Sequence, residues 1–280
     1  MSALHRFTFT SISSTLGLGL ALSLTPVACQ QPESYCTTAH GDFASVYKLK
    51  SGDATSACGM LAGDVIGMQT YFAPGGLNGT PKFSEPSLAI LPARLGDLLD
   101  RASSYDPPLA GLDPKQNGIA LADFTDSFPD ADELCEGKKF NAAELALPEL
   151  PLIPGAVDDP ETPDEDETTP DIPALPATTI RYEWSNVKVL VSANYQGTQF
   201  SADLKYTQDD CTAEYEVKGL YPLIGCASDI DCCSTEKECT TKVDGKTEVL
   251  PLSSINPDFD VKCSTELGFC VLNDDFPALR

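Results

Sequence analysis

The chain has 280 residues, with 42 Asp and Glu against 18 Lys and Arg, giving a formal charge of −24 and a pI near 4.2. That balance excludes nucleic acid as a partner, because phosphate binding needs clustered cations to displace counterions. With 42% apolar residues the chain is not disordered throughout, and eleven Cys against two His point to disulfides rather than His-rich metal or catalytic chemistry. In chain order, residues 1–28 read first as an export signal: Arg6 and the free amine make a cationic start, Leu16 to Leu24 supply a short apolar run, and Pro26 breaks it before the small Ala28. The run is shorter than the roughly 20 apolar residues a bilayer crossing takes, and no later segment is long enough to span.

Leu24-Thr25-Pro26-Val27-Ala28-Cys29 resembles the lipobox of bacterial lipoproteins, with Val27 and Ala28 in the two positions before the Cys and Pro26 where that family usually carries Leu. The resemblance implies that Cys29 is the mature N-terminus and the lipidation site, carrying thioether-linked diacylglycerol and an N-acyl chain such as palmitate, enough acyl carbon for stable anchoring. Gln30 in place of Asp implies the cell outer membrane, under the sorting rule known for enteric bacteria. The competing reading is ordinary secretion, with Cys29 as one more disulfide partner. Removing residues 1–28 takes away Arg6 and no acidic residue, so the charge falls to −25 and anionic headgroups repel the body. The membrane is then expected to be a partner through the lipid anchor alone, with residues 29–35 a tether that holds the body off the surface.

Residues 36–147 read as a β-rich half. Phe43 to Leu49 and Val65 to Phe72 are short strands separated by Ser51-Gly52-Asp53. Pro74 to Gly79 is a turn-rich loop; Leu88 to Leu91 is a further strand, Pro92 to Ala102 a short helix opening on Pro, and Ile119 to Phe124 another strand. Residues 148–178 carry eight Pro. Ten acidic and no basic residues lie between Phe140 and Ile180, so this segment is expected to be an extended, disordered spacer. Its acidic run lacks the alternating ligands and turn Gly of an EF-hand. Residues 179–225 give the clearest pattern. Phe200, Ala202, Leu204 and Tyr206 alternate with polar residues, as do Cys211, Ala213, Tyr215 and Val217, with a turn at Gln208-Asp209-Asp210. Upstream, Tyr182 and Trp184 share one phase and Val187, Val189 and Val191 the other, which places a β-bulge near Ser185-Asn186. Residues 226–280 are a disulfide-rich C-terminal segment. The fold class expected is mostly β with minor α: an antiparallel meander sheet, an acidic Pro-rich insertion and a cysteine-dense end.

With Cys29 set aside, ten Cys remain as disulfide candidates: Cys36, Cys58, Cys135, Cys211, Cys226, Cys232, Cys233, Cys239, Cys263 and Cys270. Their even number suits five bridges in an oxidising compartment. Spacing from Cys226 to Cys239 lacks the paired C-x2-C of structural zinc, so no metal site is expected. Cys232 and Cys233 should seek different partners, because adjacent α-carbons about 3.8 Å apart sit below the usual disulfide range. Three candidates precede the acidic segment and seven follow it. Both counts are odd, so complete pairing requires at least one bridge across that segment.

Catalytic machinery is thin. After processing, His40 is the only His, no G-x-S-x-G elbow or H-E-x-x-H zinc signature occurs, and His40-Gly41-Asp42 reads as a loop. Asp97 with Asp100, and Asp130 with Asp132 and Glu133, are close carboxylates of the kind a strongly acidic composition produces on a solvated surface. No catalytic residue, cofactor or enzyme activity is therefore expected. The aromatics of the meander fit core packing better than a ligand-binding face. The layout as a whole is similar to the MlpA-type lipoproteins of myxobacterial envelopes: the lipobox-like Cys29, early Cys residues, an acidic middle, then Tyr182-Glu183-Trp184-Ser185-Asn186-Val187 and a Cys-rich end. The resemblance implies an envelope location and carries over no catalytic residues. The function expected is a membrane-anchored envelope lipoprotein with a structural or protein-interaction role and envelope-protein partners; the alternative is a tethered binder of a small ligand or cation.

Overall fold

The computed structural model describes residues 34–76, 79–113, 115–155, 170–243, 246–273 and 275–280. The export signal, Cys29, most of the tether, Leu77 and Asn78, and the acidic run 158–167 lie outside the described residues. Nine strands and one helix come first: β1 (Gly41–Ser51), β2 (Gly63–Gly75), β3 (Thr80–Pro92), α1 (Ala93–Ser103), β4 (Ala120–Phe124), β5 (Leu134–Lys138), β6 (Ala143–Leu147), β7 (Thr178–Val191), β8 (Gln196–Gln208) and β9 (Cys211–Leu220). All their pairings are antiparallel, in the order β5-β4-β3-β2-β1-β9-β8-β7-β6.

One further pairing closes the sheet on itself. The β5 strand lies along β7, with Leu134 opposite Leu190 and Gly137 opposite Val187, while β6 occupies the other half of the same edge, with Ala143 opposite Tyr182. The ring β1-β2-β3-β4-β5-β7-β8-β9 is thus an eight-stranded up-and-down barrel, and closure removes the unpaired edges an open sheet exposes. Its strands alternate because inward residues meet the core and outward ones meet water: β4 and β6 each bury every second residue. The interior is filled by Phe43, Ile66, Leu88, Ile90, Phe200, Tyr182, Tyr206 and Tyr215, all fully buried. Phe200 lies directly over its cross-strand partner Gly219, where an added Cβ would come within 2.0 Å of the ring.

The meander read from sequence is present as β7, β8 and β9, and the register shift between Ser185 and Lys188 is the expected bulge, with Asn186 at φ 50°. Its strands do not stand apart from the residues before the acidic segment. Ala44 pairs with Leu220 and Leu49 with Tyr215, so both halves share one barrel. The segment 148–178 also departs from expectation at its two limbs. Leu150 pairs with Leu175 and Ile153 with Ile172, Leu150 is fully buried, and β7 already begins at Thr178. The apolar residues spaced between the prolines give the limbs something to bury, which the acidic run 158–167 lacks. Arg101 of α1 fastens both limbs through the carbonyls of Pro151 (3.0 Å) and Pro173 (2.7 Å).

The C-terminal segment carries a 3-10 turn (Asp229–Cys232) and two ribbons, β10 (Thr240–Val243) with β11 (Lys246–Val249) and β12 (Val261–Ser264) with β13 (Phe269–Leu272). Its small core of Ile255, Phe259, Cys270 and Leu272 packs against Leu220 and Tyr195 of the barrel. The buried side chain of Gln199 seals the contact like a fragment of strand, donating to the Ala278 carbonyl (3.2 Å) and accepting from the Ala278 N–H (3.0 Å).

All ten cysteines among the described residues are bridged: Cys36–Cys135, Cys58–Cys211, Cys226–Cys263, Cys232–Cys270 and Cys233–Cys239. Cys232 and Cys233 take different partners, and Cys58–Cys211 is the bridge that crosses the acidic segment. Protease cleavage between Asp158 and Asp171 should accordingly leave two fragments that run together on a denaturing gel until reduced; separation without reductant would refute the pairing. Replacing Gln199 with Leu strands a buried N–H and carbonyl at Ala278, and should cost about 2 kcal/mol in urea unfolding. An unchanged midpoint would show that the clamp contributes nothing.

Candidate functional site

The barrel has two distinct ends. At the helix end, α1 follows directly from β3, and the strand termini Asp64, Thr178, Gln208 and Cys211 gather around it. At the other, the hairpin end, the β2–β3 hairpin, the β4–β5 loop and the N-terminal chain come together.

The helix end holds an unusual polar group for a barrel core. Asp64 falls on the inward phase of β2, in step with the buried Ile66 and Met68. Its carboxylate accepts from the Val65 N–H (2.8 Å) and the Tyr182 hydroxyl (3.3 Å). Burial pushes the Asp64 carboxyl up to about 6, against those hydrogen bonds and the nearby Arg94 charge. Arg94, in the first turn of α1, donates to Gln208 (3.1 Å) and lies over the Tyr206 ring at 5.9 Å, while the Tyr206 hydroxyl donates to the same Gln208 oxygen (2.8 Å). Burial raises Tyr206 to about 12 and lifts Tyr47 and Tyr182 well above the ordinary tyrosine range. A half-open cleft of about 420 Å³ lies here, lined by Asp64, Arg94, Asp97, Leu175 and Gln208 among others. The Tyr47 hydroxyl and Trp184 Nε1 are buried without a hydrogen-bond partner among the described residues. This arrangement stores an acid near neutrality inside a tyrosine-rich core, and it offers no nucleophile–base pair.

The residues singled out from sequence fall elsewhere. His40 is exposed and borders a shallow cleft with Asp42, Gln69 and Tyr71. Asp97, Asp100, Asp130, Asp132 and Glu133 are all exposed, as solvated surface charge should be. Tyr182, Trp184, Phe200, Tyr206 and Tyr215 are buried in the core rather than displayed on a ligand face. The sulfurs of Cys226, Cys232 and Cys263 lie within 4.8 Å of one another, but they belong to two adjacent disulfides and so have no thiolate to give a metal. Asp64 and Arg94 escaped the sequence reading. For Asp64 the signal was phase: reading β2 from Gly63 instead of Val65 puts an acid in line with Ile66 and Met68; Arg94, in the first turn of α1, had none.

On the outer wall, a wider open cleft of about 890 Å³ runs across β3 and β4, floored by Tyr71, Ala89, Ile119 and Leu121 and edged by Lys138 and Lys139. Tyr71 and Leu121 are each 49% exposed, a large apolar display for outward strand positions.

A closed barrel filled with its own side chains, with every described cysteine bridged, defines a compact disulfide-stabilised β protein. The sequence profile of the MlpA family matches residues 41–222, which is β1 through β9 and two residues beyond, and the chain belongs to that family. It is 36% identical over 109 residues to a Myxococcus xanthus protein described as "Putative lipoprotein MlpA", a match covering 37% of this chain and 41% of that protein. No solved structure matches the chain. The family match stops short of the C-terminal disulfide-rich segment.

Asp64 generates a test. A carboxyl whose folded pKa is raised adds stability that is fully present below its unfolded value near 3.8 and lost as pH climbs through about 6. Wild type should therefore lose about 1–3 kcal/mol between pH 4 and pH 7 relative to Asp64→Asn, read by urea titrations at each pH. Parallel pH profiles for the two proteins would dismiss the buried acid.

Proposed function

We propose that this protein is a lipoprotein of the cell outer membrane, acylated on Cys29 after removal of residues 1–28, whose barrel serves as a structural or protein-interaction component of the envelope. The observation that carries this reading is the cysteine count. The ten cysteines among the described residues all pair with one another, and the eleventh, Cys29, follows a lipobox-like run in the sequence. Membership of a family represented by a lipoprotein supports the same conclusion. The filled barrel interior favours interaction over ligand storage, since a stored ligand needs a cavity where Phe43, Phe200 and Tyr215 pack. For an envelope-protein partner, the apolar cleft edged by Lys138 and Lys139 on the outer wall is the natural seat.

Intact-mass measurement of protein extracted from membranes tests the anchor and the bridges together. The mass should lack residues 1–28, include one diacylglyceryl and one acyl group, and rise on reduction by two hydrogens for each of five bridges. A species with a free or bridged Cys29 and no acyl mass would defeat the proposal.

A further inference from the structure

Where the N-terminal chain joins the barrel, it meets a cluster of exposed rings. Tyr35 stacks on Phe128 (centroids 4.8 Å apart) and on Phe83 (5.3 Å), and Phe83 meets Phe72 edge-on at 5.0 Å. Tyr35, Phe83 and Phe128 are 39%, 41% and 41% exposed. With Phe72 they come from four separate pieces of chain: the N-terminal segment, both arms of the β2–β3 hairpin and the β4–β5 loop. All four pieces meet at the hairpin end. Contiguous exposed aromatic surface of this kind marks a place where something other than water is met.

The chain itself says what that is. Cys36 is fixed to the wall by its bridge to Cys135 and by its N–H to the Ser127 carbonyl (2.8 Å), so Tyr35 cannot swing away from the barrel. Only five residues lie between Cys29 and Tyr35, a reach of at most about 20 Å when fully extended. An acyl group on Cys29 therefore keeps the hairpin end, and not the helix end, within one short span of the lipid. Tyr settles at headgroup depth with its hydroxyl wet, and Phe rings bury at the boundary between headgroups and acyl chains.

We propose that Tyr35, Phe72, Phe83 and Phe128 form a docking surface that seats the hairpin end in the headgroup region of a zwitterionic bilayer. This deepens the anchored reading given above and rests on it. It replaces the expectation that the body stands off the surface on charge grounds. Repulsion acts against anionic lipid, whereas a zwitterionic surface carries little net charge to oppose an acidic protein. The limbs of the acidic segment leave from the opposite, helix end, where Arg101 ties them to α1.

The test uses the mature protein extracted from membranes, its acyl mass measured, reconstituted into phosphatidylcholine vesicles with and without brominated acyl chains as quenchers. Phe83→Trp places a reporter in the cluster, with the wild-type spectrum of the interior Trp184 as background; Phe128→Trp serves as a second reporter should the first fold poorly. Leu152→Trp, exposed on a limb at the helix end, is the control. Both cluster reporters should lose at least half of their added emission in brominated vesicles, and the Leu152 reporter almost none. Protein that floats with the vesicles while its cluster reporters stay bright would overturn the docking and leave the anchor standing. Protein that neither floats nor carries acyl mass would overturn both. A vesicle-independent, concentration-dependent blue shift with no quenching would assign the rings to a second copy of the chain instead.

Discussion

Ala44 faces Leu220 and Leu49 faces Tyr215, so the first strand finds its partner in the last strand of the barrel. Everything between them must be in place before that pairing is satisfied. It is a non-local contact of high entropic cost, of the sort that slows folding and that a covalent link offsets by restricting the unfolded chain. The Cys58–Cys211 bridge supplies such a link at the helix end, where Tyr215 also donates its hydroxyl to the Cys58 carbonyl. With the ring shut, the acidic wall exposes fewer strand edges than an open sheet of the same strands would, and several of its cations lie against carboxylates. Lys50 meets Asp203 at 2.7 Å, Lys205 meets Glu183 at 3.2 Å, and Arg181 reaches both Glu183 and Glu144. Exposed pairs of this kind contribute little individually, but Lys50 sits beside the place where two carboxylates, Asp203 and Glu216, stand opposite each other in register.

How legible this was depended on how each strand spends its alternation. The β7, β8 and β9 strands show period two in long β-branched and aromatic runs, and they are where the pattern places them. The β6 strand, Ala143-Glu144-Leu145-Ala146-Leu147, alternates as strictly in the fold, yet every residue in it is a good helix former. Tertiary pairing with β7 overrides that preference. The β5 strand is five residues with a Gly and a bridged Cys, too short to announce itself. Prolines at 148, 151, 173 and 176 hid the apolar alternation of the two limbs, because Pro-rich acidic sequence reads as solvated chain until a helix carrying Arg101 is available to fasten it. Closure itself had no local signature, since the pairing of β5 with β7 is visible only in three dimensions.

The two candidate sites illustrate the same limit from opposite directions. Asp64 was hidden by a strand boundary drawn two residues late, and a phase argument alone recovers it. The aromatic cluster could not be recovered that way, because Tyr35, Phe72, Phe83 and Phe128 share no segment and no periodicity. Cysteine arithmetic, by contrast, needed no geometry: odd counts on either side of the acidic segment require a crossing bridge, and Cys58–Cys211 meets that requirement.

The bridge from Cys36 to Cys135 has a mechanical meaning as well. Tension applied to the N-terminal chain does not arrive first at β1, which could otherwise peel from β2 one hydrogen bond at a time. It passes through sulfur to β5, in the part of the wall that shares an edge of β7 with β6. The pull is thereby diverted from the end of β1 to a strand held on both sides, and β1 cannot be unzipped from that terminus while the sulfur link is intact.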